Sequence, residues 1–183
     1  MLGPTQLREL GVAEVGENVL VDPTARLIGV ERMRIGSNVR IDAFGLLSAG
    51  DGGITIGNYV HVAAHAFMSG SAAIVLEDYV GLSGRVSVYS SSDDYSGIAM
   101  AGPMLPPEVR AVESAPVTFH RHALVGAGCV VLPGAVLEEG AAVGAMSLVT
   151  GTVPTFELHA GIPARRIGDR SRQLLDLERS LAH

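Results

Sequence analysis

An apolar residue recurs at every sixth position through the C-terminal half of this 183-residue chain: Phe119, Val125, Val131, Leu137, Val143 and Val149. Such a period suits neither an amphipathic helix, whose face repeats every 3.6 residues, nor a plain strand, whose face repeats every two. A second, small-residue series (Ala123, Cys129, Ala135, Ala141, Ser147, Val153) stands two positions before the next apolar residue, and Gly128, Gly134 and Gly140 fall one position earlier still. The frame returns in shorter runs of Val21, Leu27, Met33, then Ile35, Ile41, Leu47, then Ile56, Val62, Met68, then Leu76, Leu82, Val88, with breaks at 34, 50–53 and 71–73.

Each six-residue unit reads as a short strand with a turn. Three units close a triangular coil, and stacked coils pair every backbone donor and acceptor with the coil above or below. The aliphatic ladder fills the prism, and Asn38, His65, His122, Gly128, Gly134 and Gly140 fall at corners, where the backbone needs positive φ. Composition agrees: 48% hydrophobic residues, 23 Gly, no Trp and 4% aromatics suit a narrow interior. The reading is therefore all-β, a parallel β-helix in one domain, with a lead-in over 1–18, coils over 19–88 and 117–160, and a tail over 161–183. A β-sandwich with coincidental spacing is the alternative fold.

Two segments leave the frame. Residues 89–116, rich in Ser, Gly and Pro, read as a long extruded loop, and long loops in compact folds are usually functional. Asp169 to Ala182 carries Leu174, Leu177 and Leu181 at helical spacing, which predicts a short C-terminal α-helix placed to cap the coil. Thr5 to Leu10 predicts a short helical lead-in.

A net charge of −6 without a basic run argues against nucleic acid as a partner. Cys129, the single cysteine, falls on the inward small-residue series and implies a core residue in a reducing compartment. No signal-like or membrane-spanning stretch is present in the sequence, so a soluble cytoplasmic protein is expected.

The stretches IGNYVHVAAHAFM (56–68), VGLSGRVSVYSSSDDYSG (80–97), VGAGCVVLPGAVLEEGAAVGAMSLVTGTVP (125–154) and AGIPARRI (160–167) resemble the hexapeptide-repeat acyltransferases, in the branch that acetylates galactosides, nucleotide-linked sugars and surface polysaccharides. The resemblance implies a left-handed β-helix, a homotrimer with active sites between neighbouring prisms, acetyl-CoA as cosubstrate, a sugar acceptor and no metal. It places Ala127, Ala145 and Thr150 against CoA and makes Arg165 the phosphate contact. Gly151 and Gly168 replace two expected cations, for which Arg166 or Arg170 would compensate.

In the same pattern Asp93 stands at the position of the catalytic histidine. His65 is then the expected general base, with Asp93 orienting it or binding substrate and His61 as the second candidate; an imidazole accepts a proton near neutral pH. Asp94, Tyr95 and Ser83 are expected to meet the substrate, and a backbone N–H beside Ser83 or Gly84 to stabilise the oxyanion. Corner histidines also serve as plain turn residues, and Asp93-Asp94 also suits a solvated turn. Rival functions are a transferase for a non-sugar acceptor, a γ-carbonic-anhydrase-like zinc site using His61, His65 and His120 or His122, and a β-helix scaffold without activity.

Overall fold

The computed structural model describes residues 1–181. They form a triangular prism of stacked coils. Parallel sheets of seven and six strands make two faces, and an eight-stranded sheet, parallel but for its last strand, makes the other. One coil shows the plan: Ile54–Ile56 lies on the first face, His61–Val62 on the second and Phe67–Gly70 on the third. First-face strands bury two residues around an outward one, as Ile54 and Ile56 flank Thr55, whereas second-face strands bury one, as in Val62. The inward side chains join into one core running from Leu7 to Val153, so the six-residue period is the spacing of core residues around the triangle.

Coil length differs along the prism. Above the loop Thr118 pairs with Val136, Leu124 with Ala142 and Val130 with Leu148, eighteen residues apart in each case. Below it Arg34 pairs with Thr55, twenty-one residues on, and Thr55 with Val75, twenty on. The additional residues sit at the corner between third and first faces. Two of these insertions fall at the expected breaks, 50–53 and 71–73. The first lies at 29–32 instead of 34: Val30–Arg32 forms a 3-10 turn, and Met33 and Ile35, assigned to separate runs by the frame, both point inward from one strand.

Corner residues adopt positive φ, including Asn38 (59°), His65 (61°), His122 (62°) and Gly128 (71°). A side chain there costs about 1–2 kcal/mol, and contacts between successive corners offset it. Asn18 Nδ2 donates to Asn38 Oδ1 (2.8 Å), and Tyr59 stacks on Tyr79, which stacks on His122. Just before the second of these corners, Asn58 Oδ1 accepts from the Ser37 N–H and Asp78 Oδ1 from the Asn58 N–H, so side chains pair donors that the strands leave over.

Helix α1 (Pro4–Glu9) closes the lower end and buries Leu7. The upper end is closed by an antiparallel pair, Glu157–Ala160 with Arg165–Asp169. Helix α2 spans Gln173–Leu181, shorter than Asp169 to Ala182 because Asp169 belongs to that pair; Ala182 lies outside the described residues. Nor does α2 cap the coil. It lies beside the corner between first and second faces, where Glu178 accepts from His122 Nε2 (2.7 Å) and from Arg121, and Arg172 sits 4.2 Å from the centre of the Phe156 ring. Leu177 and Leu181 of the expected apolar face are exposed.

The excursion over 89–116 carries structure of its own: Ser91–Asp93 and Val112–Ser114 pair antiparallel at its base, between the third and first faces. Among the described residues no helix is long and apolar enough to cross a membrane.

Candidate active site

The same two corner positions of four successive coils, Ala64-His65, Gly84-Arg85, Ala127-Gly128 and Ala145-Met146, line a groove of about 380 Å³ between the second and third faces. Coil stacking sets its chemistry. The carbonyls of Ala64, Gly84 and Ala127 accept the corner N–H groups of Arg85, Gly128 and Met146 (2.9–3.0 Å), whereas the N–H groups of Ala64, Gly84, Ala127 and Ala145 find no partner among the described residues. A row of unpaired amide donors on a floor of small side chains suits an extended chain bearing carbonyl oxygens. Ala127, Ala145 and His65 are thus brought together in one groove.

His65 is exposed and stacks on Phe44, ring centres 5.1 Å apart. Among the described residues no carboxylate is hydrogen-bonded to it: Asp93 ends a strand of the excursion, past the far end of the third-face strand Ser87–Tyr89. An imidazole–carboxylate pair does form, at His61. Its Nε2 donates to Asp42 Oδ2 (2.8 Å), and Arg40 Nε donates to Asp42 Oδ1 (2.7 Å). These two donors hold the Asp42 carboxyl below its ordinary range. Asp42 was missed in the sequence because it stands nineteen residues from His61, a separation that becomes contact only when coil length is known.

Asp94 is engaged by its own loop: Oδ1 accepts from the Ser96 N–H (3.0 Å), and Oδ2 from those of Gly97 and Ala99 (3.1 Å each). Hydrogen bonding to Ser96 and Ala99 lowers its pKa to about 2. Tyr95 beside it is 94% exposed. Of the two amides considered for the oxyanion, that of Ser83 donates to Val125 O (2.9 Å), which leaves Gly84.

Thr150 and Arg165 meet in a second depression of about 170 Å³, with Gly151 and His159. Arg165 donates to the Ala164 carbonyl and has no carboxylate within ion-pair distance among the described residues, whereas Arg166 pairs with Asp169 (2.7 Å) and Glu157 (3.3 Å). Arg170 is turned inward onto the carbonyls of His122 and Gly140, and burial lowers its pKa. The histidines that a zinc site would need are dispersed, with His61 on Asp42, His120 on Glu77 and His122 on Glu178. Among the described residues no three potential ligands converge. Cys129 is fully buried, its thiol pushed up by desolvation.

A hexad-repeat prism with an amide-lined corner groove and a long excursion defines a β-helix of the hexapeptide-repeat type. The chain belongs to the hexapeptide-repeat acyltransferases: it is 43% identical, over 97% of its length and 92% of the relative's, to the dTDP-4-amino-4,6-dideoxy-D-glucose acyltransferase of Escherichia coli. The structure of AntD, an N-acyltransferase from Bacillus cereus, in complex with dTDP and 3-hydroxybutyryl-CoA superposes with a TM-score of 0.94 at 36% identity, covering 99% of this chain and 95% of AntD. A putative lipopolysaccharide biosynthesis O-acetyl transferase, WbbJ of E. coli K12, is 29% identical over 75% of this chain and 68% of its own. No protein-family model matches.

Proposed function

We propose that the chain transfers an acyl group from acyl-CoA to the amino group of a dTDP-linked 4-amino-4,6-dideoxy sugar. The observation that carries this reading is 43% identity, over nearly the full length of both chains, to an acyltransferase named for that acceptor, joined to the likeness to AntD bound to dTDP and an acyl-CoA. The amide row over Ala127 and Ala145 receives the pantetheine arm, and Arg165, beside Thr150, receives a CoA phosphate.

His65 takes a proton from the amine as its nitrogen bonds to the thioester carbonyl carbon, and the Gly84 N–H donates to the developing oxyanion. The C–S bond then breaks, and His65 returns the proton to the sulfur so that CoA leaves as the thiol. Solved AntD structures include variants at an aspartate and at a serine ten positions before it, and Ser83 and Asp93 here have the same spacing. This supports a role for both with the acceptor, Asp93 accepting a hydrogen bond from its neutral amino group and orienting it. Ser83 and Asp93 flank a third-face strand within one chain, so they act on one substrate when the excursion of one copy lies over the groove of another. The homotrimer implied by the resemblance provides this, with Asp93 of the partner subunit completing the site and the exposed Tyr95, Ile98 and Met104 covered.

The test is steady-state kinetics with acetyl-CoA and the dTDP-amino sugar. His65→Ala is expected to lower kcat about 10²–10⁴-fold while CoA affinity holds. Full activity in that variant would remove His65 as the base and transfer the role to His61 or to Asp93. Absence of CoA binding by the wild type would overturn the whole reading.

A further inference from the structure

Among the described residues, ten other than glycine adopt positive φ: Asn18, Asn38, Phe44, Tyr59, His65, Tyr79, Arg85, His122, Met146 and Phe156. Nine have a neighbour that accounts for the side chain. Asn18 bonds Asn38, Phe44 stacks on His65, and Tyr59, Tyr79 and His122 stack in a column. Met146 packs over Gly128, and Phe156 over Gly140 beneath Arg172. Arg85, at φ 61°, is the exception. Its side chain makes no hydrogen bond, ion pair or ring contact among the described residues, and it is exposed.

The next coil places Gly128 at this same corner, so the prism has no need of a long side chain there, and an arginine adds the strain of a left-handed conformation. No contact among the described residues offsets that strain. Arg85 lines the groove together with Ala64, His65 and Gly84 of its own and the preceding coil and Ala127, Gly128, Ala145 and Met146 of the following ones. An unpaired guanidinium, presenting a planar fork of donors beside unpaired backbone amides, is a phosphate-binding arrangement. It also supplies a cation in a chain where Gly151 and Gly168 occupy two positions of expected cations.

We propose that Arg85 binds a phosphate group of a substrate lying in this groove, either the diphosphate of the nucleotide-linked acceptor or a phosphate of CoA. The inference rests on the acyltransferase reading and adds to it a binding residue between His65 and Ala127, with the strained backbone retained for the sake of the ligand.

The experiment is calorimetric titration of the full chain with dTDP and, separately, with CoA, for wild type, Arg85→Gln and Arg85→Gly, alongside thermal melts. The expected result is at least a tenfold loss of affinity in both variants for one ligand, which identifies the phosphate's source, with the other ligand within twofold. The melting temperature of Arg85→Gly should equal or exceed that of wild type, because glycine relieves the strain. Affinities within twofold of wild type for both ligands would overturn the inference and leave the acyltransferase reading standing, as would a loss for both that accompanies a lowered melting temperature in both variants. Wild-type protein that binds neither ligand would overturn both.

Discussion

The coils below the excursion and those above it solve the same geometric problem in different ways. Below, coils of twenty or twenty-one residues turn their corners on Asn38, Phe44, Tyr59, His65, Tyr79 and Arg85, and Phe44 stacks on His65 and Tyr59 on Tyr79 outside the prism, with Arg85 left out of these contacts. Above, coils of eighteen residues turn on Gly128, Gly134 and Gly140 as well as on His122, Met146 and Phe156, and the glycine corners leave room into which Met146 and Phe156 pack over Gly128 and Gly140. The regular half therefore has open, amide-lined ground where an extended cosubstrate can lie. The irregular half supplies the polar side chains at this level, His65 and Arg85 in the groove and the His61–Asp42 pair beyond it. The groove spans both, and that placement explains why a repeat so uniform in its interior carries a site at one level only.

The comparison can be tested at its weakest points. Phe119 is the first large core residue after the excursion, fully buried, with its strand paired to coils on both sides. Phe119→Ala is expected to destabilise the chain by about 3–5 kcal/mol, measured by denaturant unfolding; a loss of under about 1 kcal/mol would mean that the two halves do not share one core. Gly140→Ala is the next largest. Its Cβ would stand 2.5 Å from the Phe156 ring at φ 69°, a loss of about 1–3 kcal/mol. If glycine corners are a requirement of the upper half alone, Asn38→Gly should change stability by no more than about 0.5 kcal/mol, since relief of the left-handed strain offsets the lost bond to Asn18.

The smallest effect is local and depends on pH. The carboxyl of Asp94 titrates at about 2 against an ordinary 3.8 because loop hydrogen bonds favour its charged form. Its contribution to loop order is accordingly complete above the ordinary value and vanishes as the pH falls through about 2. Amide exchange at Ser96, Gly97 and Ala99 should accelerate over that interval in wild type, and should already be fast at neutral pH in Asp94→Ala. Slow exchange in that variant would show that the loop holds itself without the carboxylate.

Much of this architecture was legible in the residues. Six consecutive apolar positions at a spacing of six leave the backbone one way to bury them and pair its amides, and corner residues such as Asn38, His65 and Gly128 could be picked out from that frame alone. The error at 29–32 arose because Met33 and Ile35 both satisfy the inward rule, so an alternating strand can be divided between two hexads. The C-terminal helix was found by its leucine spacing, but periodicity carries no information about which surface receives the helix; Glu178 decided that by pairing with Arg121 and His122.

The site was less legible, and for a reason of scale. What the sequence alone determined is what repeats every few residues: the core ladder, the corners, and the small side chains of Ala127 and Ala145 that leave room for a ligand. What only the tertiary structure decided is which outward residues meet, because neighbours on the prism surface are a full coil apart. His61 meets Asp42 across nineteen residues, whereas Glu77 meets His120 across forty-three. Insertions at the corners and the excursion set those distances, and no local pattern encodes their sum. Stacking at about 4.8 Å per coil is what converts such separations into contact, and it leaves Arg85 lining the groove without a partner among the described residues.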